Sequence, residues 1–274
     1  MRKIDKIIGI IGIVGLAMML VTSAMGASTE MMVGRNGIDV VDRGNVQRIH
    51  HIVEEEVREI EVYAANMRVR VIGGDELAIG GAVREDALEI DVVDGLLTVR
   101  HSEGWRGISI GFRGIRGLAR QELVVSVPRD MMERVRVESG NGRVEIARIF
   151  AGDIEVVVRN GRIEIEDIGA TGLWARSNNG RIEVRRAEVV HSGLAARNGA
   201  IRVSDSMGRF EARSHNGSVR FERVPSGAFV DLRTRNGGVR VDGQRQGSSF
   251  RGGDENAEDA VIAETHNGSV RVEF

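Results

Sequence analysis

The 274 residues contain no cysteine, only two prolines, and few aromatic residues: seven Phe, two Trp and one Tyr. The missing thiol excludes disulfides, thiolate metal sites, a cysteine nucleophile and lipidation at a cysteine. Scarce aromatics argue against the interfacial girdles of a transmembrane β-barrel. A formal net charge of −2, with 42% hydrophobic and 28% charged residues, excludes wholesale disorder, which needs fewer apolar positions and a larger net charge. No apolar run of membrane-spanning length follows residue 26, and the length suits one or two domains.

Lysine is nearly absent as well: Lys3 and Lys6 are the only two, and every other basic side chain is arginine. Both lie with Arg2 ahead of the apolar run Ile7 to Val21, which is followed by Ser23, Ala24, Met25, Gly26 and Ala27. This arrangement predicts a signal peptide over residues 1–26, cut after Gly26, or else an uncleaved N-terminal anchor. The expected location is therefore exported: secreted, periplasmic or at the cell surface, with membrane contact only through this segment. Residues 27–56 form an irregular lead-in, where His50 to Glu56 suits either one helical turn or an extended stretch. Residues 57–274 are expected to be one domain.

What is present in abundance is a repeat. Asn-Gly recurs at Asn141-Gly142, Asn160-Gly161, Asn179-Gly180, Asn198-Gly199, Asn216-Gly217, Asn236-Gly237 and Asn267-Gly268, at spacings of 19, 19, 19, 18, 20 and 31 residues. The last interval holds an insertion, Gln244 to Glu258, rich in Gly, Ser and charge. A β-branched residue stands three positions after every Asn, from Val144 to Val270, and another apolar residue five after, from Ile146 to Val272, with a charged residue between them. Alternation with a period of two predicts strands buried on one face. The run before each Asn alternates too, but with smaller residues, as in Leu173, Ala175 and Ser177.

Each unit thus reads as strand, Asn-Gly turn, strand, loose turn. Asn and Gly tolerate the positive φ that a tight corner requires. A meander of hairpins built from such units needs a second layer over its apolar face, and no segment after Pro128 has helical periodicity. A coil instead turns large residues after Asn-Gly toward small ones before it. The predicted fold is accordingly an all-β, single-stranded β-solenoid with about 19-residue rungs, the alternative being an antiparallel hairpin sandwich or barrel. Residues 134–274 hold the regular repeats and 57–133 degenerate ones: Ile60, Val62 and Ala64 precede Asn66, Val69 and Val71 follow it, and Met67 replaces the Gly. Further strands are expected at Leu88 to Val92, Leu96 to Val99 and Glu122 to Val127, and Phe274 is expected to plug the end of the solenoid.

Leu123-Val-Val-Ser-Val-Pro128, then Val135-x-Val137-x-Ser-Gly-Asn-Gly, then serial Asn-Gly-x-Val-x-Val units resemble a group of exported bacterial proteins, a domain of unknown function labelled "putative adhesin", and the related head-GIN domains of auto-transporter adhesins. The resemblance covers roughly residues 55–274 and implies a β-solenoid with an adhesin-like role. It brings no catalytic residues.

The residues themselves offer little chemistry. His215 and His266 precede Asn-Gly in a position that Arg159, Arg197 and Arg235 occupy elsewhere, which marks a solvated corner. His50 and His51, adjacent on a strand, point oppositely and make a poor metal pair with Glu54 to Glu56. No G-x-S-x-G, S-x-x-K or H-E-x-x-H occurs, and no calcium nonapeptide. Polysaccharide-acting enzymes use β-helices, but the rungs here are shorter and the exposed acids have arginine neighbours. No catalytic residue, cofactor or metal is therefore assigned, and no nucleic acid is expected. The segment Gly104 to Arg120 alternates apolar residues with arginine among five glycines and suits a pair of strands or a surface loop.

One pattern points to a partner. The charged residue four after each Asn runs Glu145, Glu164, Glu183, then Arg202, Arg220, Arg240 and Arg271. Stacked rungs turn this into an acidic stripe followed by a basic one. The acids have arginine neighbours two residues back, Arg143, Arg162 and Arg181, whereas the arginines there have Ala200, Ser218, Gly238 and Ser269. Arg202, Arg220, Arg240 and Arg271 are thus the candidate site, suited to an anionic envelope polymer; another envelope protein is the other partner considered. The function expected is a non-enzymatic structural or binding module of the envelope, the alternative a membrane-anchored envelope-stress or regulatory accessory.

Overall fold

The computed structural model describes residues 29–34, 37–42, 46–102, 108–110, 121–128 and 132–274. The segment 1–26 and most of Gly104 to Arg120 lie outside the described residues. Among those described, the one helical element is a 3-10 turn at Glu85–Ala87, and no helix is long and apolar enough to cross a membrane.

The repeats stack in parallel. Each Asn-Gly meets the next, as in Asn141↔Asn160 and Gly142↔Gly161, and the flanking strands keep that register, as in Ile163↔Ile182 and Ile182↔Ile201. Parallel pairing between successive repeats makes a solenoid and excludes the hairpin alternative, in which neighbours run antiparallel. The large residues three and five after each Asn are buried, Ile163, Ile182 and Val219 fully so, and they face Leu173, Ala175, Ala212 and Leu232 across a narrow core.

Two expectations about the rung are corrected. The supposed loose turn is a short third side, whose Ile149, Ile168 and Ala187 point inward and close the core, and whose residues 168–170 pair in parallel with 187–189. The Asn-Gly step is not a tight corner either: strands Met132–Ala147 and Phe150–Asn179 run straight through it. Among the described corner glycines only Gly142 has φ between +20° and +160°, at 150°. The positive-φ corner lies seven residues after Asn, at Arg148, Asp167, Arg186, Asp205 and Arg223, with φ from 48° to 57°.

The rungs do not stack in sequence order. Ala260–Asn267 lies between Met207–Ser214 and Phe229–Asn236, parallel to both. The Asn267 rung is therefore inserted between those of Asn216 and Asn236. The Gln244 to Glu258 insertion makes this possible: Asp242-Gly243, with φ of 47° and 77°, reverses the chain, and Gln244–Arg245 and Ser249–Gly252 pair antiparallel on the outermost rung. Phe274 is consequently no end plug; it is 46% exposed, and its backbone N–H donates to Asp242 Oδ1 at 3.0 Å. The other end is built alike. Glu59–Ala64 lies between Leu96–His101 and Met132–Ala147, so the Asn66 rung is interior. Beyond it, Leu88–Val93 and Ala78–Val83 pair antiparallel as caps. Gln47–Ile52, read as lead-in, is extended and pairs with Ala78–Val83. Both ends of the parallel stack are thus capped by antiparallel strands, Leu88–Val93 and Gln47–Ile52 at one end and Ser249–Gly252 at the other, and these become the edges of the sheet.

Candidate functional site

The Asn-Gly steps, Asn141 through Gly268, line one edge of the solenoid as a ladder of side-chain amides. Asn141 Nδ2 donates to Asn66 Oδ1 at 2.5 Å, and the relay continues through Asn160, Asn179, Asn198 and Asn216 at 2.6 to 2.8 Å. Asn267 then donates to Asn216 and Asn236 to Asn267, both at 2.8 Å. Glycine follows because the backbones touch. A Cβ on Gly161, Gly180 or Gly199 would fall 1.6 to 1.8 Å from the carbonyl oxygen of the glycine one rung away. Those carbonyls accept hydrogen bonds from inside the core: Ser214 Oγ to Gly199 O at 3.0 Å, Thr234 Oγ1 to Gly268 O and Thr265 Oγ1 to Gly217 O at 2.8 Å. This explains the small hydroxyl residues two before Asn, which the sequence pattern showed only as small.

Four residues past each Asn, on the strand that follows this edge, stands the charged row. Its order is set by rung order: Glu145↔Glu164, Glu164↔Glu183, Glu183↔Arg202, Arg202↔Arg220, Arg220↔Arg271 and Arg271↔Arg240, ending on Arg245 of the cap. The four candidate arginines do come together, but as Arg202, Arg220, Arg271, Arg240. At about 4.8 Å per rung, this places a guanidinium-bearing residue at each step across four rungs.

The two halves of the row differ electrostatically. Glu145 accepts from Arg68 at 2.7 Å and faces Arg70 at 3.3 Å. Glu164 accepts from Arg143 and, at 3.2 Å, from Arg162. Burial works against both carboxylates, but these arginines outweigh it and hold both pKa values below the ordinary carboxylate range. Glu183 accepts from Arg185 at 3.1 Å. In the basic half, Glu222 serves Arg220 at 3.1 Å and Arg202 at 3.9 Å, and Glu273 lies 4.0 Å from Arg220. Asp242, the remaining acid nearby, is turned to the Phe274 N–H. Among the described residues no carboxylate lies within ion-pair distance of Arg271, Arg240, Arg181 or Arg245. Beside the row, Ala200, Ser218 and Ser269 leave a groove of about 260 Å³ walled by Arg181, Arg202, Arg220 and Arg271.

Across the Asn edge, His215 and His266 stack with ring centroids 4.8 Å apart and planes at 16°. Arg197 and Arg235 hold the same position in the rungs on either side, so this position runs Arg197, His215, His266, Arg235 along the stack. A third column was missed. At the positive-φ corner, Arg148, Asp167, Arg186, Asp205 and Arg223 alternate in sign rung by rung. Arg186 bridges to Asp167 and Glu166, and Arg223 to Asp205; these contacts lower the pKa values of Asp167 and Asp205. The 19-residue alternation of sign was the signal that could have revealed it. His50 lies 3.8 Å from Glu76, and among the described residues no His, Asp and Glu gather in a metal-binding group.

Among solved structures, the chain is similar to a "putative cell adhesion protein" from Clostridium sporogenes, at 12% identity over 84% of this chain and 99% of that one, with a TM-score of 0.41. It is also similar to a "putative adhesin" from Bacteroides fragilis, at 11% identity over 82% and 97% with a TM-score of 0.44. A third, a "putative lipid binding protein" from Parabacteroides distasonis, shares 13% identity over 84% and 97% with a TM-score of 0.32. No curated protein matches the chain. The serial Asn-Gly rungs and their flanking strands fall within residues 57–272, the stretch matched by the family model described as Toastrack DUF4097. By that match the chain belongs to the Toastrack DUF4097 family.

Proposed function

We propose that the protein is an exported, non-enzymatic binding module of the cell envelope, whose rigid solenoid holds the Arg202, Arg220, Arg271 and Arg240 row against an anionic polymer. The observation that carries this is the row's incomplete compensation: like charges one rung apart are unfavourable to the fold, yet Glu222 and Glu273 reach only Arg202 and Arg220, and the small residues beside the row leave a groove instead of supplying acids to Arg271 and Arg240. Guanidinium groups present paired donors to carboxylate or phosphate, and a regular row matches a regular chain of anions. The acids Glu145, Glu164 and Glu183 are held by arginines, which suits them to structure better than to acid or base catalysis.

The test is fluorescence anisotropy with labelled polyphosphate and polygalacturonate at low and near-physiological salt. Binding that weakens steeply with salt and is lost in the R202Q/R220Q/R271Q variant supports the proposal. Undiminished binding by that variant, or none by the wild type, overturns it.

A further inference from the structure

On a face remote in sequence from the arginine row, an exposed ring is held flat. The Trp174 indole is 46% exposed and spans two glycines. Its Cζ3 and Cη2 lie 2.0 and 2.1 Å from where a Cβ on Gly172 would be, and its Cδ1 and Nε1 lie 3.2 and 3.6 Å from the equivalent point on Gly193. One face of the ring therefore rests on backbone that any larger side chain would push away, while the other faces solvent. Phe150, 54% exposed, is laid over Gly169 in the same manner. Asp153 Oδ1 lies 2.5 Å from the same Gly172 point, so the carboxylate sits beside the indole edge. Among the described residues neither the Asp153 carboxylate nor the indole N–H has a partner.

The geometry points to a glycan-binding platform: a neutral sugar ring stacks its C–H face on Trp174 and donates a hydroxyl hydrogen bond to Asp153. A flat aromatic face attracts the polarised C–H bonds of a pyranose. The carboxylate is already half-withdrawn from water; a hydroxyl donor satisfies it, whereas an apolar protein side chain would leave it unpaired. An anionic sugar is disfavoured by the same carboxylate. The platform is independent of the arginine row, and its binding should be insensitive to salt.

The test uses the full chain in a W105F background, so that fluorescence reports Trp174, titrated with cellohexaose, chitohexaose, xylohexaose and mannohexaose, and separately with choline chloride. A saturable Trp174 response to at least one oligosaccharide, with a dissociation constant of about 1 mM or tighter, is expected. Calorimetry should then show binding weakened about 10-fold or more in W174A and kept within about 3-fold in W174F, because the stacking face is retained. D153N should weaken it while the circular dichroism melt is unchanged. No response to any oligosaccharide, W174A binding like wild type, or a response to choline alone overturns the proposal. So does sedimentation showing self-association that W174A abolishes, which would make the ring a contact between copies.

Discussion

Asn267 Nδ2 donates to Asn216 Oδ1 across 51 residues of sequence, although Asn236 is the nearer Asn-Gly in the chain. The amide ladder thus records the stacking order, and it is one unbroken relay of donors running one way. Each interior Asn both accepts and donates. Asn179→Ala, which removes two such bonds at an exposed edge, should cost about 1–2 kcal/mol. Asn179→Asp should cost more, because its carboxylate, although it still accepts from Asn198, sets a second oxygen against the Asn160 Oδ1 acceptor. Urea midpoints of the two variants check this; a smaller loss for Asp than for Ala would mean the side chains do not form a directed relay.

Apart from Gly142, the glycines of the Asn-Gly steps are required by contact, not by φ. A Cβ on Gly180 would stand 1.6 Å from the Gly161 carbonyl oxygen, whereas one on Gly243, at φ 77°, meets nothing within 4 Å. Gly180→Ala should therefore destabilise by more than about 2 kcal/mol, since backbone has to move. Gly243→Asn should cost only a few tenths, because Asn adopts the left-handed region readily. Denaturation midpoints that ranked these two the other way would restore the turn explanation.

Acid should act through Glu145 and Glu164. Burial opposes their ionisation, yet arginine contacts depress both pKa values, so each stabilises the fold above the unfolded carboxylate value of about 4.3. That contribution is lost as pH falls through the lower folded value. The melting temperature should drop below about pH 4.3, and E164Q should flatten that limb while lowering stability at pH 7. Glu164 is only 9% exposed, so Glu164→Ala is not the harmless neighbour of Ile165→Ala that alternation alone suggests. A parallel acid limb in E164Q would remove Glu164 from this account.

The sequence made the rung legible because burial repeats: Val144 to Val272 alternate with charges at fixed offsets from Asn, and alternation of this kind is what one buried strand face imposes. The strands expected at Leu88 to Val92, Leu96 to Val99 and Glu122 to Val127 are legible for the same reason, and the structure extends each by one or two residues. Rung order was not, since Asn236 and Asn267 carry the same local pattern and nothing local says which lies outermost; only pairing decides it. The third side escaped notice because Ile168 and Ala170 are too few to show a period. Nothing in the repeat pattern marks Trp174, because its contact with Gly172 and Gly193 is made by a ring that reaches along its own strand and across to the next rung.

Rung order also predicts which arginines feel one another. In the stack Arg220 adjoins Arg202 and Arg271, while Arg240 lies one rung beyond Arg271. Arg271→Glu should place a carboxylate between Arg220 and Arg240 and stabilise the fold by about 0.5–1 kcal/mol, while weakening any anionic polymer bound there. Stability and binding then move in opposite directions, as expected when a binding row is held together against its own repulsion. A double-mutant cycle separates neighbours from non-neighbours: coupling between R271E and R220Q should exceed that between R202E and R240Q, which are three rungs apart, by a few tenths of a kcal/mol or more. Equal couplings, or an R271E variant less stable than wild type at low ionic strength, would show that Arg271 does not occupy the middle of the row.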